Sequence, residues 1–296
     1  MKKILIFVLA LTLTGTMAVS ASALDLDAPN SLTLHYGRSA DVFPDLDVQA
    51  YRVAELAPDG SCAFTGQFAD YPVQIQGITD QSQWQEAAQT LVAYIQADGL
   101  IPTAWTVTDE SGNAVFSQLK SGLYLIPGTY VETGTESFHF QPFFIFLPTP
   151  GEDGVYHHDV QANPKPGEVT PHTRYTVVKL WKDDGTRPGA ILVDILLDGV
   201  IMETAALSPD NDWSYTWTAQ NTGGMWTVVE RDVPDGYTVT ITSRENIFTI
   251  VNTADQVPEE TPDTGDRAPL EVYILMAGLS GIFLMILGIW YKRKWA

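Results

Sequence analysis

Residues 175–184 read YTVVKLWKDD. As a strand, the stretch puts Tyr175, Val177, Lys179 and Trp181 on one face and Thr176, Val178, Leu180 and Lys182 on the other. Each face carries a lysine, but only Lys179 has a large apolar residue on both sides of it. The same alternation groups Trp226, Val228 and Glu230 in WTVVE, and Phe248, Ile250 and Asn252 in FTIVN. Three strand-like segments therefore each aim one polar group along with an apolar set. Burying a lone ammonium or carboxylate costs several kcal/mol, so the three groups are expected to meet.

Two outcomes are open for such a trio. One is a buried Lys–Glu ion pair with the asparagine hydrogen-bonded to it. The other is chemical. Desolvation lowers a lysine pKa and raises a glutamate pKa, so both groups can become neutral. A neutral amine is a nucleophile, and a protonated carboxyl can polarise a carboxamide and move protons. Ammonia then leaves, and an isopeptide bond replaces the buried charges.

Around this stretch, residues 173–254 look all-β. Strand-like segments at 175–182, 190–197, 213–218, 225–231, 237–242 and 247–253 alternate with Asp-Gly, Pro-Asp and Gly-Gly turns, a spacing that suits an immunoglobulin-like sandwich. Upstream, alternation predicts strands at 31–36, 46–54, 104–108, 114–118, 123–126, 137–146 and 155–162. A helix is expected between them. Ser82 and Gln85 make a capping box, and Trp84, Ala88, Leu91 and Ile95 share one face until Asp98-Gly99. The fold expected is mainly β: two immunoglobulin-like sandwich domains in tandem, 24–166 with the inserted helix and 173–254 without it. NPKPGEVTP (163–171) is the proline-rich connector, and 255–264 is an acidic, proline-rich, extended stretch.

The two ends are not fold material. Residues 1–23 begin with Lys2 and Lys3, run apolar and close on Ala21-Ser22-Ala23, the layout of a secretory signal peptide. Residues 272–291 carry no charge and reach about 30 Å as a helix, one hydrocarbon core. Lys292, Arg293 and Lys294 follow, placing that end in the cytoplasm and the body outside the cell. The chain carries 36 acidic against 16 basic residues, a net charge of −20, which repels phosphate backbones and excludes nucleic-acid binding. Cys62 is the only cysteine, so no intramolecular disulfide forms in the oxidising compartment.

Residues 173–254 resemble a Cna B-type domain of Gram-positive surface proteins and pili. The resemblance rests on VVKLW, on WTVVERDVPDGY with Glu230, Pro234, Gly236 and Tyr237 in the order of the family's E-box, and on FTIVNT. It implies an isopeptide between Lys179 and Asn252, with Glu230 catalysing. TPDTGD (261–266), followed by the apolar span and basic tail of 265–296, resembles a sortase sorting signal. That implies recognition of Pro262, cleavage between Thr264 and Gly265, and transfer of Thr264 to an amine. VYHHDVQANPKP resembles a pilin motif, which makes Lys165 the candidate acceptor. Asn163 and Pro166 stand where that motif has tyrosine and asparagine. From Asn252 to Thr264 is about twelve residues, at most roughly 40 Å extended, a stalk too short for a solitary adhesin but ample for a fibre subunit.

The resulting expectation is a secreted, wall-anchored pilin-like structural subunit. Its partners would be a sortase, a peptidoglycan precursor or other pilin subunits, with membrane contact only through the C-terminal helix before sorting. The competing expectation is a stand-alone adhesin whose N-terminal domain binds a host or matrix ligand. No cofactor, metal site or enzymatic activity beyond the autocatalytic bond is expected. His157 and His158 are adjacent on a strand and point oppositely, Cys62 with Gln67 lacks a supporting motif for a thioester, and Trp84 with FHFQPFF (138–144) reads as core.

Overall fold

The computed structural model describes residues 24–254 except 39–40, 134–135, 152–153, 169–173, 184–186 and 220–223. Residues 1–23, expected as a leader, 255–264 with Pro262 and Thr264, and 265–296 with Gly265 and the span expected at 272–291 lie outside the described residues.

The first half is built from β1 (Asn30–His35), β2 (Asp47–Leu56), β3 (Cys62–Phe64), α1 (Gln81–Asp98), β4 (Ala104–Val107), β5 (Asn113–Leu119), β6 (Gly122–Ile126), β7 (Thr129–Thr133), β8 (Glu136–Phe140), β9 (Phe143–Leu147), β10 (Asp159–Ala162) and β11 (Pro166–Glu168). Its central sheet runs β9-β6-β2-β3, with β4 also on β2. Two smaller sheets, β10-β1-β5 and β11-β8-β7, accompany it. The segment expected as one strand over 137–146 is two, interrupted at Gln141-Pro142, where proline cannot donate to a ladder.

The central sheet lies between two cores. Every residue of β6 is buried: Tyr124 and Ile126 join β1, β5 and β8 on one side, while Leu123 and Leu125 face α1 on the other. β2 does the same, giving Val48 and Ala50 to the first core and Tyr51, Val53 and Ala54 to the second. An irregularity between Arg52 and Ala54 in its pairing with β6 breaks strict alternation along β2.

Helix α1 starts two residues before the expected box. The Asp80 carboxylate accepts the Gln83 N–H at 2.9 Å, and the Gln83 side chain accepts the Thr79 N–H at 2.9 Å. Ser82 is instead a donor to Asp80, at 2.6 Å. A carboxylate is the stronger acceptor for orphan N–H groups and gains from the helix dipole, so Asp80 takes the cap. Gly99 closes the helix at φ 61°, a left-handed position that favours glycine.

The second half comprises β12 (Arg174–Lys182), β13 (Ile191–Leu197), β14 (Val200–Leu207), β15 (Ser214–Thr218), β16 (Trp226–Glu230), β17 (Tyr237–Arg244) and β18 (Ile247–Ala254). Two sheets result, β15-β12-β18-β17 and β14-β13-β16. Strand β14 was not expected. Its sequence VIMETAAL has no clean alternation, and only Ala205 and Leu207 are buried. What makes it a strand is the two-residue turn Asp198-Gly199, with both φ positive, which folds it back onto β13.

The helix belongs to both halves. Its Trp84 meets Phe144 and Phe146 of β9 edge-on, while Thr90, Tyr94 and Gln96 reach strands of the second half. The described residues accordingly pack as one compact unit, with one apolar core running from α1 into the second half. Leu91, fully buried in that core, tests the arrangement. Leu91→Ala should cost about 2–5 kcal/mol, and calorimetry should show a single transition that moves down as a whole. A second transition left unmoved would mean the halves melt independently.

Candidate functional site

Alternation along β12 sends Val177 and Lys179 into the sandwich and leaves Leu180 half exposed. On β18, Phe248, Ile250 and Asn252 point the same way. The two strands are parallel neighbours, with Lys179 opposite Ile250 and Trp181 opposite Asn252, so Asn252 sits one inward-facing step beyond the lysine. Glu230 comes from the other sheet, at the end of β16. The turn that follows places Gly236 at φ 80° and closes with the Tyr237 N–H donating to the Pro234 carbonyl at 3.2 Å. That conformation favours glycine in the third turn position.

These three side chains converge in the dry interior. The Lys179 amine lies 3.4 Å from Glu230 Oε2, and both side chains are 0% exposed. The Asn252 amide donates to Glu230 Oε1 at 2.9 Å. Lys179 also donates to the Leu180 carbonyl at 3.2 Å, and its ammonium sits 4.1 Å from the Trp181 ring centre. Trp213 and Tyr237 each meet Trp181 edge-on and so hold the ring that faces the amine. Glu230 Oε2 and Asn252 Oδ1 receive no hydrogen bond among the described residues.

Burial dominates the electrostatics. It lowers the Lys179 pKa to about 8, with the charge of Glu230 opposing the shift. It raises the Glu230 carboxyl above the usual glutamate value, opposed by Lys179 and by the Asn252 hydrogen bond. Both shifts favour the neutral pair. The arrangement thus holds an amine and a carboxamide each against one buried carboxyl of raised proton affinity, away from water.

Other residues singled out in the sequence lie apart from this trio. Lys165 is exposed between buried Pro164 and the start of β11, where Pro166 pairs with Phe140. Pro262, Thr264 and Gly265 are outside the described residues. His158 bonds Asn30 at 2.9 Å, and Cys62 is a half-buried free thiol. What the sequence reading missed is the outer wall of the site. Thr227 and Val229 of β16 are also buried, because α1 covers the face that alternation assigned to solvent. The apolar-plus-threonine run TVV in β16 carried that signal, since strands covered on both faces lose alternation.

Residues 175–253 match the family model of the Cna protein B-type domain. A collagen adhesin of Staphylococcus aureus is 32% identical over 129 residues, covering 39% of this chain and 11% of the adhesin. The chain thus spans only about a tenth of that relative's length. Among solved structures, a single B repeat unit of the S. aureus collagen-binding protein aligns at 15% identity and TM-score 0.26, covering 77% of this chain and 99% of its own. The shaft pilin SpaA of Lactobacillus rhamnosus GG aligns at 15% identity and TM-score 0.27, covering 77% and 98%. The major pilin SpaD of Corynebacterium diphtheriae aligns at 16% identity and TM-score 0.30, covering 78% and 65%.

The shifted lysine has a consequence for stability. In Asn252→Ala the amine and carboxyl remain but the carboxamide is gone. Folded Lys179 holds its proton less tightly than unfolded lysine, so between about 8 and the ordinary lysine value the unfolded chain carries more protons. Stability should therefore climb as pH rises through that window. Urea titrations of Asn252→Ala should show the climb, and the double variant with Lys179→Met should lose it.

Proposed function

We propose that this chain is a pilin-like structural subunit of a Gram-positive surface fibre, its Cna B-type domain locked by an autocatalytic isopeptide bond between Lys179 and Asn252. The observation that carries the reading is the fully buried contact of Lys179, Glu230 and Asn252 on three strands of two sheets. An ordinary ion pair leaves the desolvation of two charges only partly offset, whereas condensation removes both charges.

The step balances within the trio. Proton transfer from the Lys179 ammonium to Glu230 leaves a neutral amine and a neutral acid. The amine nitrogen attacks the Asn252 carboxamide carbon while Glu230 gives its proton to the carbonyl oxygen; the carboxylate so formed takes a proton from the attacking nitrogen and hands it to the departing nitrogen. The new bond joins the Lys179 nitrogen to the Asn252 carbonyl, the old carbon–nitrogen bond breaks, and one ammonia leaves. As the carbonyl re-forms, the proton on its oxygen returns to Glu230, which ends as the neutral acid. The bond would tie β12 to β18, the first and last strands of the domain, so tension along the chain cannot peel the sandwich open.

In this reading 24–166 and 173–254 are tandem immunoglobulin-like domains. The leader 1–23 is removed on secretion, and a sortase cleaves between Thr264 and Gly265 after the 272–291 helix has held the chain in the membrane. Thr264 then passes to a peptidoglycan precursor or to another subunit's amine. Exposed Lys165, fixed between two prolines, is the acceptor offered by this chain. A second reading, a wall-anchored adhesin with a host or matrix ligand, draws on the exposed apolar residues Ile101, Trp105 and Val115 of the first half.

Two measurements test the proposal. The intact mass of residues 24–264 should fall short by one ammonia, about 17 Da, and Glu230→Ala should restore the full mass and lower the Tm. Full mass in the unaltered chain would exclude the bond. In wall extracts, a high-mass ladder lost in Lys165→Ala indicates polymer through this lysine, whereas one band indicates a single anchored adhesin.

A further inference from the structure

Glu230 and Asn252 meet beside a lateral opening of the second sandwich. β16 is the edge of the three-stranded sheet, and β17, the neighbour of β18, is the edge of the four-stranded one. Helix α1 packs against both edges. It is therefore the first half of the chain, not the Cna B-type domain, that closes the side on which carboxyl and carboxamide lie.

The closure is built from specific bonds. An edge strand presents a row of N–H groups without ladder partners. On β17 the outward N–H groups of Val239, Ile241 and Ser243 are met by the Pro72 carbonyl at 2.7 Å, the Thr90 hydroxyl oxygen at 2.8 Å and the Gln89 side-chain oxygen at 3.4 Å. Val239 is the cross-strand partner of Asn252. On the other edge, Thr227 donates to the Gln96 side-chain oxygen at 2.7 Å, and the Tyr94 hydroxyl lies 3.5 Å from the Glu230 backbone carbonyl. Tyr94 is itself buried, its ring 4.7 Å from that of Tyr71, and burial followed by the charge of Glu230 raises its phenol pKa.

We infer that α1 is the water-excluding wall of the crosslinking site, with Thr90 and Tyr94 as positioning residues for the Lys179–Asn252 bond. The inference rests on the reading of the trio given above. Neither residue touches the reacting atoms. Tyr94 fills the space behind β16, and Thr90 pins β17 and so the strand that carries Asn252. Water admitted between the two edges would stabilise the ionised Lys179 and Glu230 and remove the neutral amine. The first half would then serve as an intramolecular template for chemistry in the second.

The test follows intact mass with time after cell-free synthesis of residues 24–264, with near-UV circular dichroism as the check on packing. Tyr94→Ala should slow the loss of ammonia by about tenfold, while Tyr94→Phe, which keeps the ring, stays within about twofold of the unaltered chain. Thr90→Val, nearly the same shape without the hydroxyl, should be severalfold slower. A general loss of stability would lower the native near-UV signal of the slowed variants, whereas the inference expects Thr90→Val to slow with that signal kept. If Tyr94→Ala does not fold, Thr90→Val decides. Natively packed Thr90→Val reacting at the unaltered rate overturns the inference while the trio's chemistry stands. An unaltered chain that never loses ammonia removes the chemistry, and the inference with it.

Discussion

A lysine amine sealed against a glutamate carboxyl, both without solvent exposure, is the constraint on which the rest of the second half is arranged. Coulomb attraction at this depth is strong, yet the desolvation of two charges is of similar size, so an unreacted pair contributes little net stability. The sandwich nonetheless sets it against the Trp181 ring and a hydrogen-bonded carboxamide. A core organised only for stability would hold apolar side chains at these three positions. Under the proposed crosslink, the pair is a reactant rather than an end state.

That reading also explains where stability comes from. With a single cysteine, disulfides within the chain are excluded. A covalent tie between the first and last strands of the domain would do the same mechanical work by a different chemistry. The aromatic cluster of Tyr175, Trp217, Trp226 and Phe248 packs at the start of β12 in the same core. Tight packing at one end and reactive groups at the other let the fold keep water out of the site.

The trio was legible because period-two alternation is a strong signal when polar residues break it, and β12 and β18 obey it residue by residue. The Asp-Gly and Pro-Asp-Gly turns were equally legible from their chemistry. Strand β14 was not, since its exposed Val200, Ile201 and Met202 follow no pattern and its pairing is imposed by a turn and by β13. The cap of α1 was misplaced because Ser82 and Asp80 both fit, and only the geometry decides which oxygen takes the N–H groups. The dual role of α1 lay beyond local patterning altogether. A helix buried over a wide arc signals two partners, but the sequence does not say that one of them lies 151 residues away, as the Thr90–Ile241 bond at 2.8 Å does.

The central claim is a covalent link between two named side chains, and peptide mapping tests it most directly. Protease digestion of residues 24–264 followed by tandem mass spectrometry should yield one branched species joining the β12 peptide with Lys179 to the β18 peptide with Asn252, short of one ammonia. Recovery of those peptides only as two separate linear species, each at full mass, would contradict the account.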